Sequence, residues 1–370
     1  MSRFSKKNES RLNVSNLLNE NEDGAPVVSG ISTFSSPHYF VPPSGSTAQR
    51  PSNPGEGMIR FNTDSGHLEY YNSELWVDVI VNESSTIGGR GIFAAGSYNP
   101  GGGTSYSETI DYVTIATTGN AVDFGDVSNG RDVSSGCASR TRGIIAGGYS
   151  GSEEQNINYI EIATLGDGLT FGDLTSARRN RDGCGDSTRG VMGGGWSPTA
   201  LIDVLTYGST GSATQEGTLS TAGYNVGALS SSTRGVFVGG SSRTTTMDYV
   251  TIQSLGSAQD FGTLNAASGT CAGTSSSVRG IIVSNGGVIE YITISSTGNG
   301  QDFGDATYIE DGKTTTGDST RAVLGGSSNP SYVNTINFIS IATTGDASDF
   351  GDLTQPRGNT SAFSNAHGGL

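Results

Sequence analysis

Three histidines, three cysteines and a recurring set of arginines and aspartates carry the chemical reach of this 370-residue chain. His38, His67 and His367 stand far apart, so no pair has the spacing of an HExxH metal site. A Ser-His-Asp site assembles in space and stays open on sequence grounds. No G-x-S-x-G elbow accompanies one, however. The expectation is a non-enzymatic protein, with no catalytic residue, metal or cofactor. Cys137 and Cys184 each lie five residues before a repeated Arg, and Cys271 lies near the same place. Small buried thiols lining a ring interior are expected there; a metal ring would lack a fourth ligand. Asp123, Asp260, Asp302 and Asp349 each precede a Phe. An Asx-type turn is expected at these positions rather than calcium, because no D-x-D-x-D-G loop occurs.

Composition narrows the elements that must position such residues. Gly supplies 57 of 370 positions, about twice its usual share, so tight turns and close backbone contacts dominate. Lys and Arg number 20 against 35 Asp and Glu, a formal net charge of −15 that argues against nucleic acid. Three Cys exclude a disulfide framework. No run of apolar residues is long enough for a membrane helix, so no membrane insertion is expected. The N-terminal MSRFSKKNES has no apolar core after its basic residues, and no secretory signal is expected.

An internal repeat sets the architecture. The string Arg-Gly-apolar-apolar recurs at Arg90, Arg142, Arg189, Arg234, Arg279 and, as Arg-Ala, at Arg321, with spacings of 52, 47, 45, 45 and 42. Each is followed by an alternating stretch such as DYVTIATTG or NYIEIATLG, then by a DFGDL-like piece. Four short strands per unit follow: a small polar one, the apolar run, the alternating one (Ile160 and Ile162 on one face, Tyr159 and Glu161 on the other) and the FGD piece. Four strands in a repeat of this length select a propeller, one sheet per repeat. The double glycines Gly147-Gly148, Gly194-Gly195, Gly239-Gly240 and Gly325-Gly326 are expected near the axis. These units resemble kelch repeats, which pair Gly-Gly after an apolar strand with later aromatics. The downstream Trp of kelch is absent, and Phe124, Phe171, Phe261, Phe303 and Phe350 stand in a shifted place. The fold class expected is all-β: a six-bladed kelch-like β-propeller over 83–370, after an extended N-terminal arm and a small three-stranded β module. Residues 359–366 are expected to supply the first strand of the blade holding Ile92 and Phe93, which closes the ring.

On that fold, the turn after strand one and the turn after strand three share a face. Arg142 with Asp173, Arg321 with Asp352, and Arg90 with Asp126 are expected on it as Arg–Asp bridges, with Asp305, Arg189, Arg234 and Arg279 beside them. Thr218 and Thr263 stand where Asp does elsewhere, which would free Arg234 and Arg279 for an anionic glycan or a partner's carboxylates. The opposite face carries the loops between strands two and three, of uneven length, with Tyr98, Tyr106, Tyr149, Trp196 and Tyr332. Loops on a rigid scaffold are where binding concentrates. Their rings either receive sugar or protein surfaces or pack on their own loops.

Ahead of the repeats, residues 1–50 read as an arm and linker, with a short amphipathic helix or a disordered polar stretch at 8–20 (Leu12, Val14, Leu17, Leu18). Residues 51–82 read as three strands, Met58–Asn62, His67–Asn72 and Leu75–Val81, with a hairpin turn at 63–66. The string RP…GMIRFNTD…EYYN…WVDV over 50–79 resembles a module of bacteriophage tail fibres and other virion appendages. That resemblance implies a phage virion protein, assembled in the host cytoplasm, with residues 1–80 docked on other virion proteins. It also implies a homo-oligomer, a trimer among the options. A host-surface glycan or receptor is the expected outer partner. Carbohydrate-binding adhesin, head decoration protein, intracellular kelch-like scaffold and polysaccharide-cleaving enzyme are the alternatives.

Overall fold

The computed structural model describes residues 42–79, 89–180, 182–306 and 311–370. The helix considered at 8–20 and most of the arm at 1–50 lie outside them. The chain divides into two compact units, Met1–Asn82 and Glu83–Leu370.

In the first unit, strands Ile59–Asn62, His67–Tyr71 and Trp76–Val79 form an antiparallel meander. A fourth strand, Ser44–Gly45, pairs in parallel with Phe61–Asn62. The module is therefore four-stranded, and it reaches back into a stretch whose Ser, Pro and Gly content reads as linker. Strand alternation puts Arg60, Asn62 and Glu69 on one face, where all three are buried. Glu69 accepts from Arg50 Nη2 at 2.5 Å and Asn62 Nδ2 at 3.1 Å, with Arg60 Nε at 3.5 Å. Both guanidinium groups lie 6.0 Å from the Trp76 ring. The other face leaves Ile59, Phe61, Tyr70 and Val79 exposed.

The second unit is all-β and propeller-like, built of four-stranded antiparallel sheets. In the second repeat the strands are Ser135–Ala138, Arg142–Tyr149, Glu153–Glu161 and Leu169–Asp173, hydrogen-bonded in that order. Four more repeats follow the same order, the last opening with Thr314–Gly317 and ending at Ser348–Asp352. Among the described residues the first repeat gives its four-stranded sheet only Arg90–Ala94, Thr109–Thr114 and Val122–Asp126, and Ser97–Tyr98 and Ser105–Tyr106 pair apart from it. Its missing strand is Ser361–Ser364, which pairs antiparallel with Gly91–Ala94. The expected strand addition is thus present.

Apolar clusters fill the spaces between successive sheets. Ile92, Ile110 and Phe124 of the first repeat pack with Ile145, Ile160 and Ile162 of the second. Phe93, Val113 and Ile115, from the other face of the first sheet, pack with Val323, Ile336 and Phe350 of the sixth. Burial of each such side chain stabilises by about 1.5–3 kcal/mol. The first strands of the repeats lie innermost, and their backbones touch in cyclic order. A side chain does not fit there: a Cβ on Gly136 would sit 2.7 Å from the Ala362 carbonyl oxygen. The paired glycines are elsewhere, at the far end of strand two. Gly147 and Gly148 have φ of +63° and +115°, and a Cβ on Gly147 would lie 2.5 Å from the Arg178 carbonyl oxygen. They admit the segment that links one sheet to the next rather than an axial contact.

Candidate functional site

The repeated Arg side chains form inter-sheet bonds, not Arg–Asp bridges. Arg142 opens strand two opposite Glu161, at the end of strand three, whereas Asp173 ends strand four opposite Asn156, at the start of strand three. The two lie at opposite ends of the sheet, because FGD forms the body of strand four and not its leading turn. Each guanidinium reaches the next sheet instead. Arg90 Nη1 donates to the Ile162 carbonyl at 2.6 Å, Arg142 to Tyr207 at 2.9 Å, Arg234 to Ser295 at 2.9 Å and Arg279 to Ile341 at 2.8 Å. Arg189 reaches the Gln253 carbonyl at 3.3 Å, and Arg321 returns to that of Ile115 at 3.2 Å. Five of the six lie over a ring of their own sheet, as Arg279 does over Tyr291 at 4.4 Å. Arg234 and Arg279 are thus engaged rather than freed. Among the described residues the only carboxylate paired with this set is Glu161, 2.8 Å from Arg142 and exposed, where an ion pair contributes about 0–1 kcal/mol. At the other end, the backbone N–H groups of Asp126 and Asp305 donate to Asp167 and Asp346 of the next sheet, both at 3.0 Å, and that of Asp352 donates to Asn120 at 3.1 Å.

A second arginine set, invisible to the motif reading, is buried, and its members bind a carboxylate, amides or hydroxyls. Arg131, Arg178 and Arg357 each stand seven residues after the Phe of the FGD strand, and all three are buried. Arg357 Nη2 lies 3.1 Å from Asp111 Oδ2, and Arg131 Nη2 donates to Asn158 at 2.7 Å. In the third repeat the corresponding position is Gly223. Arg243, from the following repeat, fills the space, its Cδ 2.5 Å from where a Gly223 Cβ would stand, and Nη2 pairs with Asp248 at 2.9 Å. Burial lowers the pKa of Arg243 and Arg357 and pushes Arg131 down to about 10, still well above neutrality. The constant Phe-to-Arg interval was the available signal.

The histidines and cysteines are dispersed. His67 Nδ1 lies 3.5 Å from Asp78, and His367 Nε2 is 2.7 Å from the Ala138 carbonyl oxygen. His38 lies outside the described residues. Cys137 and Cys184 occupy equivalent innermost positions, facing Ile144 and Val191. Cys271 does not share their position: it precedes its strand, which begins at Ala272. Burial raises the Cys184 and Cys271 thiols. Among the described residues no three of His, Cys, Asp and Glu converge to hold a metal.

At the end of the sheets away from the Arg set, the five aromatics divide between two clefts. Tyr98 and Tyr332 line a groove of about 640 Å³ with Pro330 and Pro356, and Tyr332 Oη donates to Ser97 at 3.4 Å. Tyr106, Tyr149 and Trp196 line another of about 380 Å³. There Tyr106 meets Tyr149 edge-on at 5.8 Å, and Arg179 lies 4.2 Å from the Tyr149 ring and 4.9 Å from Trp196. Trp196 in turn packs on Tyr224 at 4.6 Å and stays 40% exposed. The rings pack on one another, and Trp196 keeps part of its surface exposed.

Beside this cleft an axial cavity of about 300 Å³ opens among the segments that lead into the innermost strands. Val133, Asn180, Asn225, Gly312 and Asn359 line it with φ between +48° and +71°. That conformation turns each segment toward its neighbour. The N–H of Val133 donates to the Asn359 carbonyl, Asn180 to Val133, Asn225 to Asn180 and Asn359 to Gly312, all within 2.9 Å. Between the fifth and sixth repeats Thr270 Oγ1 donates to Asp311 Oδ1 at 3.0 Å. Asp182, half-buried in the wall, accepts the N–H groups of Gly183 and Ala228 at 2.8 and 2.9 Å. Burial nonetheless pushes its carboxyl up to about 7. Further in, the innermost strands leave only about 40 Å³. His367 and Gly368 bind the carbonyls of Ala138 and Ser275 there, so residues 365–370 cross the far end. No protein-family model matches the chain, and comparison with curated proteins gives no match.

Proposed function

We propose that this is a non-enzymatic bacteriophage virion structural protein, a tail-fibre or appendage component. Residues 1–80 attach it to other virion proteins, and residues 83–370 form a displayed six-bladed kelch-like β-propeller. The observation that carries the reading is the RP…GMIRFNTD…EYYN…WVDV stretch, which resembles phage fibre modules and folds as a sheet in a unit distinct from the repeats. Six blades and a closed ring are supported by three cyclic sets of contacts. The apolar clusters return from the sixth sheet to the first, as do the Arg-to-carbonyl bonds and the innermost strands. The exposed apolar face of the module supports self-association, a trimer included. The aromatic clefts favour a second reading, a carbohydrate-binding adhesin. The test is a phage whose copy of the protein lacks residues 1–80. Its purified particles should lack the repeat region, while deletion of 83–370 should leave the arm and module attached. Retention of the repeat region without residues 1–80 would overturn the attachment. A cryo-EM map of the particle decides among tail, baseplate and head, and counts copies.

A further inference from the structure

The axial cavity and the Trp196 cleft share Val133, Asn180 and Asn359 in their walls, so one runs into the other. The combined space is blind, because residues 365–370 occupy the opposite end of the axis. A ligand therefore enters from the aromatic side and stops at the innermost strands. Volumes of about 300 and 380 Å³ are each at the lower end for small-molecule sites.

The two spaces differ in chemistry. The cleft offers an indole that is 40% exposed, held by Tyr224 and by a guanidinium between rings, a rigid aromatic platform. The axial cavity offers amides and carboxylates: Asn180 bonds Asn225, and Asp182 and Asp311 accept from Gly183, Ala228, Thr270 and Asn329, while their remaining N–H groups and lone pairs match hydroxyls able both to donate and to accept. The cations are engaged. Lys313 Nζ donates to Thr270 Oγ1 at 3.3 Å, and Arg179 is flanked by two rings with Glu153 at 3.9 Å. Asp132 and Asp311 in the walls balance Lys313 and Arg179, so the site holds no surplus cation for an anionic ligand, and the chain charge of −15 disfavours its approach.

We propose that the two spaces are subsites of one site for the end of a neutral oligosaccharide, with the terminal sugar in the axial cavity and the next ring against Trp196. The stack covers the apolar face of a sugar, and the cavity exchanges water for hydroxyl contacts of both polarities. The inference rests on reading the repeat region as the displayed, ligand-facing part. Its test uses the isolated full chain and no particle, so either reading can fail alone.

The chain has two tryptophans, so Trp76→Phe leaves Trp196 as the only indole reporter. Neutral mono- to tetrasaccharides of gluco, galacto, manno and N-acetylated type are titrated against its emission, with uronate and sialylated counterparts alongside. Calorimetry on the unmodified chain guards against damage from the substitution. At least one neutral oligosaccharide should shift the Trp196 emission and bind about tenfold tighter than its terminal monosaccharide. Trp196→Ala and Asp311→Asn should each weaken it at least about fivefold, with the urea midpoint unchanged. Absence of binding by every neutral sugar, preference for the acidic set or for peptides, or binding indifferent to both substitutions would overturn the proposal.

Discussion

Arg357 and Asp111 form an ion pair with neither side chain exposed, and they join the last repeat to the first. Thr354 adds its Oγ1 to the same carboxylate at 2.7 Å, and Arg357 Nη2 also donates to the Phe93 carbonyl at 3.0 Å. A buried pair owes little net stability to its charges, but removal of one partner strands the other. Asp111→Ala should therefore destabilise by about 3–5 kcal/mol. Asp111→Leu combined with Arg357→Met should cost clearly less. Urea midpoints of the three proteins measure this, and an equal loss in the double variant would refute it.

Gly223 and Arg243 test whether position or residue matters. Arg243 enters the space that Arg131, Arg178 and Arg357 fill from the linking segment in other repeats. Arg243→Ser should leave Asp248 buried without its cation, at about 3 kcal/mol. Gly223→Arg added to it should restore more than half of that loss, because position 223 is where the other repeats carry the Arg. Thermal unfolding of the single and double variants gives the answer.

Arg279 and Arg189 hold equivalent positions with unequal support. Arg279 reaches two carbonyls at 2.8 and 3.1 Å and lies over Tyr291. Arg189 reaches two at 3.4 and 3.3 Å, and its strand faces Val204 where the others present a ring. Alanine at Arg279 should cost about 1–2 kcal/mol, and at Arg189 less than about 1 kcal/mol. Equal unfolding midpoints would show that the stack contributes nothing.

Repeat, strand order and the returning strand were legible because each is a pattern: a fixed interval, an alternation, a leftover polar strand after the last FGDL. The Arg–Asp face was not, because a motif places residues in sequence and register decides which end of a sheet they reach. One strand's length, from Asn156 to Glu161, separates the ends to which Asp173 and Arg142 belong. The axial ring of Val133, Asn180, Asn225, Gly312 and Asn359 shares a backbone conformation that Asn and Gly tolerate, but Val133 breaks the residue pattern and Asn and Gly are frequent elsewhere in the chain, so residue type alone does not single it out. Strand Ser44–Gly45 carries no β-forming residue and exists through its pairing alone.

Asp182 makes stability depend on pH in the sense opposite to a paired carboxylate. Burial raises its carboxyl to about 7, above the ordinary value near 3.8, so the folded state binds the proton more tightly. That contribution is fully present below about 3.8 and is lost as pH rises through about 7. Glu69 runs the other way. The Arg50 hydrogen bond lowers its pKa, and its stabilisation of the module is present above the ordinary carboxylate range and lost as pH falls through the lowered value. Asp182→Asn should flatten the decline of repeat-region stability between about pH 4 and 7, by on the order of 1–3 kcal/mol over that window. Urea unfolding at several pH values should show the change in slope, and an unaltered slope would remove the assignment.

The closing strand is the last dependence. Without residues 359–370 the first sheet loses its innermost strand, the Ser361–Ser364 pairing with Gly91–Ala94, and Phe363 leaves the cluster it shares with Ile92 and Ile145. The same deletion opens the far end of the axial cavity by removing His367 and Gly368. Two neighbours, the second and sixth repeats, then face a three-stranded sheet with bare ladder groups. Deletion of these twelve residues should abolish the single cooperative unfolding transition and leave a species that binds a hydrophobic dye. If calorimetry returns an unchanged transition, the first and last repeats do not depend on that strand, and the closed ring falls with it.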